Sequence, residues 1–300
     1  MELRDIEIFL TLAEELHFGR TAEKLRISPA RVSQAIKKQE RRIQATLFDR
    51  TSRSVSLTPI GRQLYDDLRQ AQDLIDNGLN RARAASRGVQ GTLRLGVMSV
   101  LGLYLRPVVE AFTDRYPDCS VEMVDFPHST PFTALRTDQV DLQLIWLPVR
   151  EPDLTAGPVV MTEGRVLSVA ATSELAGRGS LTMEDLGGAV FPDLGPEVPD
   201  YWAEAMLPAH TPSGVPITRG PKAASFFEVL PLVTSGAAVC PMNAHVAWTY
   251  AARDIVYLPI VDAPLTEWAL VWRTAAETPA VRAFVDIADD LGVRPITPEM

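Results

Sequence analysis

Cysteine is nearly absent from this chain: among 300 residues there are two, Cys119 and Cys240. Each lies in an apolar, strand-like run, Cys119-Ser120-Val121-Glu122-Met123 and Ala237-Ala238-Val239-Cys240. Both are therefore expected to be small buried hydrophobes, not a disulfide or a redox switch. Histidine is scarce as well, at four residues, and none has ligand spacing to Cys, Asp or Glu, so no metal site is expected. Long apolar runs are missing. A membrane span needs roughly 18 uninterrupted apolar residues, and the longest candidate, 229–242, is broken by Pro231, Thr234, Ser235 and Gly236. The start, Met1-Glu2-Leu3-Arg4-Asp5, has no basic segment followed by an apolar run, so no secretory signal is read and the cytoplasm is the expected compartment. Enzyme signatures are missing too. There is no G-x-x-x-x-G-K-[ST], no G-x-G-x-x-G after a strand, no G-x-S-x-G and no H-E-x-x-H. No catalytic residue and no cofactor is expected, and the chain reads as a non-enzyme.

Positive charge is in deficit overall, 29 Lys and Arg against 38 Asp and Glu for a net −9, but the deficit is uneven. Between Arg20 and Ser54 ten basic residues face three acidic ones, a local +7, and the part before Gly91 is net +4 while the remainder is net −13. A polyanion is attracted to one end and repelled by the other. The acidic total does not argue against nucleic-acid binding; it confines such binding to the first part of the chain.

That first part carries the most informative motif. One helix is expected over 17–25 and a second from Ser28, a good N-cap, with Pro29 at the first helical position where its missing N–H costs nothing. Val32 and Ile36 face inward, and Ile43 and Leu47 repeat the spacing. Arg31, Gln34 and Lys38 fall on another face with Ser33 and Lys37 beside them, residue types that reach phosphates or base edges when a helix enters a major groove. An ordinary solvated face is the bland alternative; the surrounding charge favours DNA. An earlier helix through Ile6, Phe9, Leu10, Ala13 and Leu16 completes a three-helix core, and 50–56 reads as a basic wing. Thr58 then caps a long helix with Pro59 at its first position. Ile60, Leu64, Leu68, Ala71, Ile75 and Leu79 recur in a near-heptad stripe. Because the opposite side is polar (Arg62, Asp66, Arg69, Gln72, Asp76), the stripe is expected to pair with a second copy. Ser86, Gly88 and Gly91 read as a joint.

From Thr92 strand and helix patterns alternate. Strands are expected at 93–97, 121–123, 142–147, 166–171, 189–191, from 217, 237–240, 255–258 and 268–272, with helices at 101–116, 131–138, 201–207, 226–235, 245–252 and 280–291. The alternation implies α/β architecture with a largely parallel sheet.

The strings His17-Phe18-Gly19-Arg20-Thr21-Ala22-Glu23-Lys24-Leu25, Leu47-Phe48-Asp49-Arg50-Thr51-Ser52-Arg53-Ser54 and Leu57-Thr58-Pro59-Ile60-Gly61 resemble the LysR-type transcriptional regulators. The likeness is tight over 1–65 and looser beyond, where Thr92-Leu93-Arg94-Leu95-Gly96-Val97 and Ser235-Gly236-Ala237-Ala238-Val239-Cys240-Pro241 are similar to the family's first regulatory strand and its late glycine-rich strand. The resemblance implies a winged helix–turn–helix (1–57), a linker and dimerisation helix (58–91) and a two-lobed, periplasmic-binding-protein-like effector domain (92–300). Lobe I would then be 92–161 with 266–300, and lobe II 162–265. It implies double-stranded DNA as partner at an interrupted inverted repeat, self-association as dimer or tetramer, and RNA polymerase if the output is activation. The expected DNA-binding residues are Arg20, Ser28, Pro29, Ala30, Arg31, Ser33, Gln34, Lys37, Lys38, Arg50, Thr51 and Arg53. Two departures stand out. Arg31 puts a bidentate donor where the family commonly has Ala, and Gln39 stands where Leu is usual.

In open α/β sheets ligands sit beyond the carboxyl ends of strands. Those positions, with the facing lobe supplied by the resemblance, give Ser99, Val100, His128, Ser129, Thr130, Leu147, Phe191, Ser225 and Phe226 as candidate effector contacts. Ser99 and Thr130 are each expected to precede a helix, where free N–H groups favour a ligand carboxylate; plain N-capping is the alternative. The effector class expected is a carboxylate or an aromatic compound. A helix–turn–helix fused to an enzyme, and an architectural DNA binder, are the competing classes. The missing motifs weigh against the first and the large acidic part against the second.

Overall fold

Three helices build the first core: α1 (Leu3–Glu15), α2 (Phe18–Leu25) and α3 (Pro29–Ile43). Ile8, Phe9, Leu12, Val32, Ile36 and Leu47 are at most 1 % exposed and form its centre. α2 starts on His17, whose Nδ1 accepts the N–H groups of Gly19 and Arg20 at 3.1 and 3.2 Å. α3 starts on Ser28, whose hydroxyl accepts the Arg31 N–H at 3.2 Å. The helices end on left-handed residues that are not glycine, Leu16, Arg26 and Gln44. Leu16 is consequently an exposed C-cap and no part of the inner stripe. Gln39 is buried, and its Nε2 donates to the Asp5 carbonyl at 2.7 Å, so the polar departure on the inner face ties α3 to α1.

A hairpin, β1 (Phe48–Arg50) and β2 (Val55–Leu57), follows and leads into α4 (Pro59–Arg87). The computed structural model describes residues 2–50 and 55–298, so Thr51, Arg53 and the rest of the wing tip lie outside the described residues. Thr58 Oγ1 accepts the Gly61 N–H at 2.9 Å and donates to the Thr46 carbonyl at 2.8 Å. Gly61 is required there, since a Cβ would stand 2.1 Å from the Leu47 carbonyl oxygen. The chain divides into compact units 1–80 and 81–300, and α4 runs across the division. Ser86 is inside the helix, which gives way at Gly88 with positive φ.

The second unit begins with β3 (Gly91–Val97), a 3₁₀ helix (Ser99–Leu105), α5 (Arg106–Arg115), β4 (Cys119–Asp125), α6 (Thr133–Arg136), β5 (Leu142–Trp146) and β6 (Leu154–Glu163). It continues with β7 (Arg165–Ala170), β8 (Val190–Asp193), α7 (Asp200–Met206), β9 (Thr218–Lys222), α8 (Phe226–Thr234), β10 (Cys240–Asn243), α9 (Val246–Thr249) and β11 (Ile255–Pro259). It closes with β12 (Thr266–Arg273), α10 (Pro279–Asp290) and β13 (Arg294–Pro295). One lobe is a six-stranded sheet in the order β13-β6-β12-β5-β3-β4; the other holds β10-β7-β11 and the pair β8-β9.

Four points correct the expected pattern. The main sheet is mixed, because β12 returns from the second lobe antiparallel to both β5 and β6. The second lobe's three-stranded sheet is antiparallel throughout. β6 was not legible as a strand: Gly157 and Pro158 interrupt its alternation, and its pairing with β12 shifts register twice. The single helix expected over 101–116 is a 3₁₀ segment followed by α5, because Pro107 is tolerated only in the first turn of an α-helix.

Candidate functional site

The first candidate is a face of α3. Ala30, Arg31, Gln34 and Lys37 are exposed, Ser33 is half-buried, and Val32, Ala35 and Ile36 turn inward. Among the described residues the side chains of Arg31, Gln34 and Lys37 make no hydrogen bond or ion pair. Ser28 and Pro29 sit exposed at the start of the same helix. Other expected contacts are partly engaged. Lys38 Nζ pairs with Asp5 at 3.2 Å on the α1 side, and Arg20 lies against Glu15 at 3.4 Å. Arg50 bonds Glu40 at 3.0 Å and stacks over the Phe18 ring at 4.9 Å. These anchors hold the hairpin beside α2 and α3.

The expected dimerisation stripe divides into two. Leu64 and Leu68 are half-buried and pack on the helix–turn–helix core of their own chain. Ile60, Ala71, Ile75 and Leu79 are exposed, Ile75 by 44 % and Leu79 by 52 %, and Leu74 joins them. Apart from Ile60 at the start of the helix, the apolar surface left for a partner therefore lies toward the second half of α4.

The second candidate is a cavity of about 190 Å³ between the lobes of the second unit. Of the residues expected to line it, Ser99, His128, Ser225 and Phe226 do so. Val100, Ser129, Thr130 and Leu147 do not, and Phe191 is a fully buried core residue in β8. The helix-terminus argument fails at both proposed positions. Ser99 takes a left-handed φ of 51° and its N–H donates to Asp125 Oδ1 at 2.8 Å. Thr130 stands three residues before α6, which has only four residues.

Residues the sequence did not single out form most of the wall. Trp146 stacks on Trp202 of the opposite lobe at 3.8 Å and 13°, and Trp202 Nε1 donates to the Trp146 carbonyl at 3.2 Å. Phe226 meets Tyr250 at 4.6 Å. His128 Nε2–H donates across the lobes to the Ala223 carbonyl at 3.1 Å, and burial pushes its pKa below the usual histidine range. Ser99 and Tyr250 join their hydroxyls across the opening. Cys240 also lines the cavity, with burial pushing its thiol up to about 12; Cys119 is buried elsewhere and likewise raised by burial. No signal in the sequence brings residues 98, 146, 226, 242 and 268 together, since the return of β12 does so. Among the described residues no group of His, Cys, Asp and Glu could hold a metal, and no helix is long and apolar enough to cross a membrane.

Comparison with known proteins covers both candidates. Residues 3–62 match the model of the bacterial regulatory helix-turn-helix protein, lysR family, and residues 86–292 match the LysR substrate binding domain. The chain is 27 % identical over 292 residues to the HTH-type transcriptional regulator BudR of Raoultella terrigena, spanning 96 % of this chain and 100 % of the relative. It is 26 % identical over 293 residues to AlsR of Bacillus subtilis (strain 168), spanning 96 % of each. A solved structure of CbnR, a LysR family transcriptional regulator, has a TM-score of 0.65 at 20 % identity, with 97 % of this chain and 99 % of that one covered. CbnR bound to its target DNA gives 0.63 at 22 %, over 97 % and 99 %.

Proposed function

Since the chain belongs to the LysR family of bacterial transcriptional regulators, we propose that it binds specific double-stranded DNA through α3 and that a small molecule in the interlobe cavity sets its output. The observation that carries the DNA reading is the unengaged row Arg31, Gln34 and Lys37 on a helix whose other side is fully packed. A guanidinium reads guanine O6 and N7 bidentately, a carboxamide reads adenine, and an ammonium holds phosphate. The exposed Ile75 and Leu79 support assembly of two copies, which would place two recognition helices on an inverted repeat. If the output is activation, RNA polymerase is the further partner.

The cavity supports the regulatory half of the proposal. Its walls come from both lobes, so a ligand there makes contacts that differ between open and closed arrangements, and only such differential contacts shift a two-state equilibrium. The test is to recover DNA fragments bound by the full chain and compare Arg31→Ala. The variant should lose about 1–3 kcal/mol on the selected site and discriminate less between sequences. Unchanged preference would remove Arg31 from base reading, and recovery of no common sequence would overturn the regulator reading itself.

A further inference from the structure

The charge of the cavity wall is the least expected feature of the second unit, and it bears on what the cavity takes. Among the described residues no lysine or arginine lines it. Of its two histidines, His128 is held neutral by burial, while Nδ1 of His245 lies 3.0 Å from Glu163, a fully buried carboxylate. The N-terminus of α8, at Ser225 and Phe226, is the remaining positive feature, and it is offset by the Glu228 carboxylate in its first turn, which accepts the N–H of Ala224 just before the cap at 2.8 Å. The one unpaired acidic residue in the wall, Asp125, sits at the opening and holds the Ser99 N–H. A ligand carboxylate entering here would lose its hydration and meet no cation, an arrangement that is strongly unfavourable.

A cationic ligand finds a carboxylate only at the mouth, where Asp125 is exposed to solvent, and none in the interior. Both oxygens of Glu163 are occupied, by the Trp268 indole N–H at 2.8 Å and by the backbone and ring N–H groups of His245 at 2.9 and 3.0 Å. No buried carboxylate is left to pair an ammonium. The wall instead offers aromatic faces and the adaptable side chains of Met98, Met206 and Met242. Two buried polar atoms of lining residues have no partner among the described residues, the donor Trp146 Nε1 and the acceptor Asn243 Oδ1. Neither atom is exposed to the cavity, so the polar handle falls to Ser225, whose hydroxyl caps no N–H of α8 and is placed to meet a ligand hydroxyl or amide. An apolar cavity of about 150 Å³ admits one benzene ring, so the space here suits a single substituted ring.

On the reading of the cavity as the effector site, we propose that its ligand is an uncharged, single-ring aromatic compound bearing a hydroxyl or amide, and not an anion. The test uses the full chain with three rings of matched size and different charge near neutral pH: benzyl alcohol, benzoate and benzylamine. Binding is read by tryptophan fluorescence and by melting shift. Benzyl alcohol should bind at least about tenfold more tightly than either charged ring, a gap set by desolvation of the charge. Ser225→Trp and, independently, Met98→Trp fill the cavity and should abolish that binding. Asp125→Asn keeps the acceptor for Ser99 and should narrow the gap for benzoate. Equal or tighter binding of benzoate or benzylamine, lost in the filled variants, overturns the uncharged class while leaving the cavity as the effector site. Binding that survives both filled variants, or no binding by any of the three, overturns the cavity reading and the ligand class with it.

Discussion

Glu163 and His245 form a buried pair at the place where the chain passes from one lobe to the other. Glu163 ends β6, His245 precedes α9, and the ring Nδ1 lies 3.0 Å from the carboxylate. The carboxylate is fully enclosed and takes N–H groups from three directions, so it is tolerated only because those donors replace its water. Removing the ring should therefore cost far more than the contact it makes. His245→Ala should lose about 1–3 kcal/mol in urea unfolding, the cost of leaving a buried acceptor short of one of its donors. A loss under about 1 kcal/mol would show that water reaches Glu163.

The two halves of the α4 stripe should respond differently to charge. Leu68 packs on its own chain's core, so Leu68→Asp should lower stability by about 2–3 kcal/mol before it affects assembly. Leu79 is exposed, so Leu79→Asp should leave monomer stability within about 0.5 kcal/mol and shift light scattering toward single chains. A Leu79→Asp chain that stays fully associated would place the self-contact elsewhere.

His128 supplies a pH signature. Burial depresses its folded-state pKa below the ordinary histidine value of 6.5, so above that pH both folded and unfolded imidazoles are neutral and the residue has no pH effect. As pH falls through 6.5 the unfolded ring takes up a proton that the folded one refuses, and stability declines by at most about 1.4 kcal/mol per pH unit. Melting temperatures between pH 7 and 5 should fall less steeply for His128→Asn than for the parent. Identical slopes would mean that the ring is protonated in place.

Neither cysteine should act as a sensor. Burial raises both thiols, that of Cys240 up to about 12, which leaves almost no thiolate at neutral pH. A thiol reagent should label the native chain slowly and the unfolded chain at both positions, and peroxide should not alter DNA affinity. Rapid native labelling of Cys240 would show that the cavity opens to solvent far more than the burial of this thiol suggests.

Local signals carried the first unit. Ser28-Pro29 starts α3, Thr58-Pro59 starts α4, and the inward spacing of Val32 and Ile36 needs nothing beyond helical periodicity, so the sequence by itself determined the helix–turn–helix, its exposed basic face and the family. It also determined the alternation of strands and helices in the second unit, because burial on a sheet or helix leaves a period in the chain. It could not determine which strand runs backward or where the lobes meet. β12 pairs antiparallel with β5 only after an excursion of more than a hundred residues, and no local propensity encodes a partner that distant. The cavity wall is a product of that return, which is why Trp146, Tyr250 and Trp268 carried no mark in the sequence while Ser99 and Thr130, read from strand ends, did. Charge in the cavity was likewise a tertiary outcome: Glu163, His245 and Asp125 are ordinary residues until folding decides which of them water can still reach.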